Sequence, residues 1–236
     1  TQIVFKNLLN GLLDFILPNT CLACEAPING EQKYLCGKCY GSLEKYNEVH
    51  PWKAEKISAG IIDNSASVFW FREATAIQQL FHALKYQKIK EAGIMLGEEI
   101  GKLIAPACIN EFELIIPVPL HKAKYRDRTY NQSEYIAAGI KNILSIEVIN
   151  DALIRSRFTP TQTRLNRSER RENVSGAFSI NPAHKGKISG KNIILTDDVI
   201  TTGATILECA AELKKAGCGK LWICSAAYAE LKINIV

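Results

Sequence analysis

Ile193-Ile194-Leu195-Thr196-Asp197-Asp198-Val199-Ile200-Thr201-Thr202-Gly203-Ala204-Thr205 is the stretch that decides the fold. An apolar run ends in two adjacent carboxylates, crosses a short turn of hydroxyls and glycine, and enters a segment of helical periodicity through Ile206, Ala210 and Leu213. This reads as a buried strand that delivers two acids to its carboxyl end, followed by a loop whose free N–H groups open a helix. Such a helix start attracts phosphate through unpaired donors and the helix dipole. The neighbouring carboxylates suit ribose hydroxyls or a magnesium ion carried by the phosphate. The plainer alternative is an ordinary strand–turn–helix junction in which Thr201, Thr202 or Thr205 only caps the helix. A nucleotide-binding P-loop is excluded, because no Gly-Lys-Ser/Thr follows the glycine. The helix stops near Gly217 and leads to a strand at Leu221-Trp222-Ile223-Cys224. Strand, loop, helix and strand in this order predict a right-handed crossover and a parallel sheet covered on both faces.

Outward from that stretch, the length of 236 residues is enough for a real core, in one domain or one with a small appendage. Hydrophobic residues make up 47% of the chain, which excludes a disordered protein. The net charge of +5 suits a polyanionic ligand or a nucleic acid and equally a plainly soluble surface. No apolar run reaches the roughly 18 residues of a membrane span. The opening Ile3 to Leu17 carries Lys6 and Asp14 and does not read as a signal peptide; its leucines at helical spacing predict an amphipathic helix ending at Pro18.

Cysteine placement is uneven. Cys21-x2-Cys24 and Cys36-x2-Cys39 are separated by 11 residues, and two such pairs are what tetrahedral zinc needs. The reading is a structural zinc site that lends folding energy to a segment too short for its own core, with paired disulfides or a redox site as alternatives. Cys108, Cys209, Cys218 and Cys224 read as small buried hydrophobes of a reducing, cytoplasmic compartment. His50 is a stray candidate ligand, with plain exposure near Pro51 and Trp52 as the expectation. Residues 1–56 thus form an N-terminal helix and a zinc knuckle, with Ser42 to Lys56 as a linker or an irregular lobe.

Further along, Ile57 to Ile61 and Ser67 to Phe71 predict short strands, and Ala74 to Tyr86 and Ala92 to Ile104 predict amphipathic helices. Leu114-Ile115-Ile116 entering Pro117-Val118-Pro119 is a second strand of parallel-sheet character. After it come His121, Lys122, Ala123, Lys124, Tyr125, Arg126 and Arg128, then Thr129-Tyr130-Asn131-Gln132; cations just past a strand end are placed for an anion. Glu134 to Leu144 predicts a helix and Val148 to Ile154 a strand. Residues 155–174 hold six arginines. That window fits a solvated loop, a mobile loop closing over a diphosphate, or a nucleic-acid contact surface. His184, in a turn, is expected to be exposed.

Several of these motifs carry a family resemblance. The acidic pair with Thr201-Thr202-Gly203-Ala204-Thr205 resembles the phosphoribosyl diphosphate (PRPP) motif of type I phosphoribosyltransferases. Pro117-Val118-Pro119 with the basic stretch, and Arg155, Arg157, Thr159 and Gln162 followed by Glu169, Arg170, Asn173, Val174, Ala177 and Phe178, resemble the ComF family, competence-associated proteins with a cysteine-rich N-terminal module. The resemblance spans nearly the whole chain, with Thr129 where the family has glycine. It implies an α/β fold, an open mainly parallel sheet flanked by helices (type I phosphoribosyltransferase-like), with residues 57–236 as that domain. It implies that Asp197 and Asp198 bind the ribose hydroxyls and that Thr201, Thr202, Gly203, Ala204 and Thr205 wrap the 5-phosphate. Lys122, Ala123, Lys124, Tyr125 and Arg126 would form a pyrophosphate loop, organised by Arg128, Asn131 and Gln132, while Lys85 would approach the leaving pyrophosphate. Arg157, Gln162 and Arg170 would belong to a flexible loop.

If the chain is catalytic, the chemistry is displacement of magnesium-bound pyrophosphate from the anomeric carbon of PRPP; no dedicated nucleophile is legible, and His121 beside the basic stretch is a candidate acid–base group, with a structural role as the plainer reading. The alternative is a PRPP-sensing or single-stranded-DNA-binding protein of the competence machinery, with Tyr125, Tyr130 or Phe158 stacking on bases. A third reading makes the zinc lobe an interface for partner proteins of DNA uptake.

Overall fold

The computed structural model describes residues 20–28, 34–108, 110–155 and 176–230. The predicted helix before Pro18 and the arginine window from 156 onward lie outside the described residues, and with them Arg157, Phe158, Gln162 and Arg170. The centre is a five-stranded sheet in the order β1-β7-β6-β2-β3: β1 Asn64–Trp70, β2 Leu114–Pro117, β3 Glu147–Val148, β6 Ile193–Ile200 and β7 Leu221–Tyr228. Every pairing in it is parallel. A separate antiparallel pair joins β4, Leu153–Arg155, to β5, Phe178–Ile180.

The strand interiors are apolar on both sides because both sides are covered. Ile115, Ile194 and Cys224 belong to one buried cluster, Ile116, Leu195 and Ile223 to the other, following the two-residue alternation of a strand. The first cluster takes Leu80 and Leu84 of α3 (Ala76–Tyr86), Leu96 and Ile100 of α4 (Lys90–Cys108) and Ile136 and Ile140 of α6 (Gln132–Leu144). The second takes Ile206, Ala210 and Leu213 of α8 (Ala204–Lys215). This is the open parallel α/β sheet that the strand–turn–helix reading predicted.

Several expectations are corrected. Ile57 to Ile61 is not a strand. Lys53–Ser58 is a helix, α2, that ends at Gly60 with φ of 67°, and the alternation of Ile57, Ala59 and Ile61 only imitates strand periodicity. Val148 to Ile154 is not one strand; it divides between β3 in the main sheet and β4 in the small one. Of the two readings of Ser42 to Lys56, the structure favours a packed lobe over a loose linker. The Tyr46 and Trp70 N–H groups bond the Val68 and Glu44 carbonyls, and Tyr46 and Trp52 are buried. His50 is 2% exposed rather than solvated, because Ser65 and Ser67 satisfy both ring nitrogens. His184 is half-buried and pairs with Asp151 at 2.7 Å. The basic stretch after β2 is a short helix, α5 (Lys122–Arg128), rather than a loop.

Candidate functional site

β2 stops early, and that creates the site. Val118 still donates to the Thr196 carbonyl at 2.9 Å, but Pro119 has no N–H to continue the ladder. Asp197 pairs with Ser225 of β7 on one side and, past the end of β2, faces a cavity on the other. Chain direction also diverges here. From β2 the chain passes through α5 and α6 to β3 on one side, and from β6 through α8 to β7 on the other. Ligands of open α/β sheets collect at such switch points.

The cavity measures about 200 Å³ and is lined mainly by charged and polar side chains. Asp197 Oδ1 accepts from Ser133 Oγ at 3.0 Å and from the Asp198 N–H at 2.8 Å. Asp198 pairs with Lys85 Nζ at 2.6 Å and accepts from the Val199 N–H. Burial, followed by the neighbouring Asp198 charge, pushes the Asp197 carboxyl up to about 7. Burial opposes ionisation of Asp198 too, but Lys85 outweighs it through its charge and hydrogen bond, so Asp198 stays below the ordinary carboxylate range. One fixed anion and one carboxyl poised near neutrality therefore stand side by side, able to hold a cation or exchange hydrogen bonds with hydroxyls.

Ser133 reaches Asp197 because the start of α6 is pinned to the end of β2. The Asn131 side chain caps the helix by accepting from the Ser133 N–H at 3.2 Å, and its amide donates to the Val118 carbonyl at 3.0 Å. Lys124, Arg128 and Arg155 line the same cavity as the acids. Arg128 donates to Gln132 Oε1 at 2.9 Å, and the Arg155 guanidinium lies 5.1 Å from the Phe178 ring centre. Burial, then the Arg128 and Arg155 charges, lowers the Lys124 ammonium below its ordinary value. Thr129, where the resembled pattern has glycine, takes φ of 68°, so this turn does require the left-handed region.

The third wall is the start of α8. Gly203, with φ of 78°, precedes it; Thr202 Oγ1 accepts from the Ala204 N–H at 3.3 Å, and Thr205 lines the cavity. Thr202, Gly203 and Ala204 are buried and Thr201 is half-buried. Of the residues singled out in the sequence, the structure brings together Lys85, Lys124, Arg128, Asn131, Gln132, Asp197, Asp198 and Thr205. Lys122 and Ala123 lie in the first turn of α5. Tyr125 and Arg126 are exposed and outside the lining. Tyr130 cannot stack on a base: it is buried, and its hydroxyl donates to the Leu84 carbonyl. Ser133 and Arg155 also line the cavity, although the sequence patterns give neither a role at the site. A serine two residues after a capping asparagine reads as any helix start, whereas the place of Arg155 at the end of an apolar strand was a usable signal.

The second site is the cysteine cluster. The four sulfurs of Cys21, Cys24, Cys36 and Cys39 lie within 4.8 Å of one another, with Cys24 and Cys36 3.7 Å apart. A tetrahedron of thiolates at ~2.3 Å from a zinc ion has edges of ~3.8 Å, so the donor set fits a metal of that size. Burial opposes ionisation of Cys21, but N–H donors of Cys36, Ala23 and Cys24 outweigh it and bring its thiol down to about 6.

Among known proteins, no family model matches the chain. Competence protein F of Haemophilus influenzae is 35% identical over 218 residues, which cover 88% of this chain and 89% of that protein. The chain belongs to the competence protein F (ComF) family. A second relative, the DNA utilization protein YhgH of Escherichia coli O157:H7, is 28% identical over 148 residues; the match covers 61% of this ComF-family chain and 63% of that protein, under two thirds of its length. Among solved structures, the glutamine PRPP amidotransferase of B. subtilis is similar at a TM-score of 0.39 and 20% identity, covering 57% of this chain and 26% of that one. A hypoxanthine-guanine phosphoribosyltransferase of Bacillus anthracis is similar at 0.37 and 16%, covering 61% and 82%. Among the described residues no helix is long and apolar enough to cross a membrane.

Proposed function

We propose that this ComF-family chain binds PRPP with magnesium in the cavity beyond β6 and serves the handling of DNA taken up by the cell. The observation that supports it is one cavity in which an acidic pair, a cationic wall and a helix start preceded by Thr-Thr-Gly meet. Asp197 and Asp198 take the ribose hydroxyls, the Thr201–Thr205 turn takes the 5-phosphate on its N–H groups, and Lys124, Arg128 and Arg155 face the diphosphate. Magnesium, when bound, neutralises the diphosphate and strengthens it as a leaving group. Zinc in the cysteine cluster is structural. Transfer would break the anomeric C–O bond to pyrophosphate and join the sugar to an incoming nucleophile; this chain's share of that step is positioning and charge stabilisation.

Calorimetric titration with PRPP and magnesium tests the reading, comparing wild type with the Asp197→Asn, Asp198→Asn double variant. Saturable binding that the double variant loses is expected. No heat, together with no competition by pyrophosphate, would sink it.

A second reading, single-stranded DNA binding, is favoured by exposed aromatics beside cations: Tyr86, 64% exposed, lies 5.7 Å under the Arg128 guanidinium, and Tyr125 is 48% exposed beside Arg126. The names of the relatives, which refer to competence and DNA utilization, support it as well. An oligonucleotide titration distinguishes the two, since DNA affinity falls steeply with salt.

A further inference from the structure

The turn after Asp198 is held from outside its own element. Gly203 has φ of 78°, and a Cβ there would lie 2.8 Å from both Cε2 and Nε1 of Trp52. The indole edge therefore touches the turn at the residue whose backbone is left-handed. Trp52 is 1% exposed, and its ring lies parallel to that of His50, with centres 4.8 Å apart and planes 4° apart. His50 stacks in turn on Tyr46 at 5.2 Å. Its ring nitrogens sit 2.7 Å from Ser65 Oγ and 2.9 Å from Ser67 Oγ, both on β1, and Ser67 Oγ continues to Ser225 Oγ of β7 at 2.6 Å. A column of contacts thus runs from two strands of the sheet through two stacked rings to Gly203. The Trp52 Nε1–H at the top of the column is buried and has no hydrogen-bond partner among the described residues.

We propose that Trp52 is a positioning residue for the phosphate-binding turn: the column anchored through His50 holds Gly203 in its left-handed conformation, so that α8 starts beside the cavity that Thr205 lines. The ligand named for that turn rests on the function proposed above; the mechanical role of Trp52 does not. The column belongs to the segment joining the cysteine cluster to β1, so the N-terminal part of the chain sets the geometry of a site formed by the sheet.

Amide hydrogen exchange on the full chain tests this without any ligand. The Ala204 and Leu207 N–H groups bond Thr202 Oγ1 and the Gly203 carbonyl. In Trp52→Leu they are expected to exchange about tenfold faster than in wild type, with Ile194 and Leu195 unchanged. In Trp52→Phe, which keeps a stacked ring, the rates stay within about twofold. His50→Phe, which keeps a ring but severs both serine bonds, is the second variant should Trp52→Leu not fold, and it carries the same expectation as Trp52→Leu. Unchanged rates at Ala204 and Leu207, or an equal acceleration along β6, would overturn the proposal. In the ligand arm, PRPP with magnesium binds Trp52→Leu about tenfold more weakly than wild type, and equal affinity would overturn the proposal. If wild type itself takes up no PRPP, the ligand assignment falls while the exchange rates still decide the role of Trp52.

Discussion

Asp197 and Asp198 are the same side chain one position apart, and the fold sets them to different charges. Lys85, 2.6 Å from Asp198, holds that carboxylate ionised. Asp197 accepts hydrogen bonds from Ser133 and the Asp198 N–H and feels the Lys85 charge more weakly, and burial beside a second anion raises it to about 7. Unfolded, such a carboxyl titrates near ~3.9. Between those values the folded chain holds a proton that the unfolded chain does not. The stability from this group is therefore fully present below about pH 4 and is lost as pH rises through 7. Asp197→Asn removes that slope. Thermal melts should show the variant about 2–4 °C more stable than wild type at pH 8, with the gap closing toward pH 4; parallel profiles would show that Asp197 titrates normally. The ionised carboxylate accepts from a ribose hydroxyl better than the protonated one does, so binding of PRPP should strengthen as pH rises through 7 in wild type and not in Asp197→Asn.

At the scale of elements, the helices that cover one face of the sheet meet through missing side chains. A Cβ at Gly97 of α4 would lie 2.0 Å from the Ile136 carbonyl oxygen, and one at Gly139 of α6 would lie 2.1 Å from that of Ile94. The two backbones touch, which brings α6, and Ser133 at its start, close under the acidic pair. Gly139→Ala must push the helices apart and is expected to lower stability by at least ~1–3 kcal/mol, read as a fall in Tm; the Gly97→Ala, Gly139→Ala pair should lose less than the sum, because both relieve one contact. An unchanged Tm would mean that the crossing is looser than described. The helices themselves were legible in the sequence, since Ile77, Leu80, Phe81 and Leu84, or Ile136, Ala137 and Ile140, repeat with the helical period and all are buried. So were β2, β6 and β7, as apolar runs. Residues 57–61 were misread because five residues are too few for a two-residue period to exclude a single helical turn. The four-residue spacing of Gly93, Gly97 and Gly101 was visible, and its meaning came only with the facing helix.

Over the whole molecule, the sequence marked the acids, the turn and the basic stretch, but not which side chains meet across long separations. Ser133 and Asp197 are 64 positions apart, and nothing local to either pairs them. Burial of His50 and Trp52 was hidden for the same reason: the serines and the glycine that receive them lie on other elements. The cysteine spacing was legible because its partners are close in sequence, yet its depth was not. Cys21, Leu35 and Leu43 share one buried cluster with Leu80 and Leu96 of the helices over the sheet, and Cys36 and Cys39 pack against it. A metal at the cysteines therefore supports more than its own knuckle. Removing it leaves four clustered thiols with no common partner and loosens the contact of Leu35 and Leu43 with the helices. Chelation, or Cys24→Ser at the exposed corner, should lower Tm by several degrees, roughly 5 °C or more for a chain of this size, and accelerate amide exchange at Leu35 and Leu43 before that of Ile194 in β6. The bound metal, counted by native mass spectrometry, should fall in step. Stoichiometric loss of metal with no change in Tm would show that the sheet and its helices hold the N-terminal segment without it.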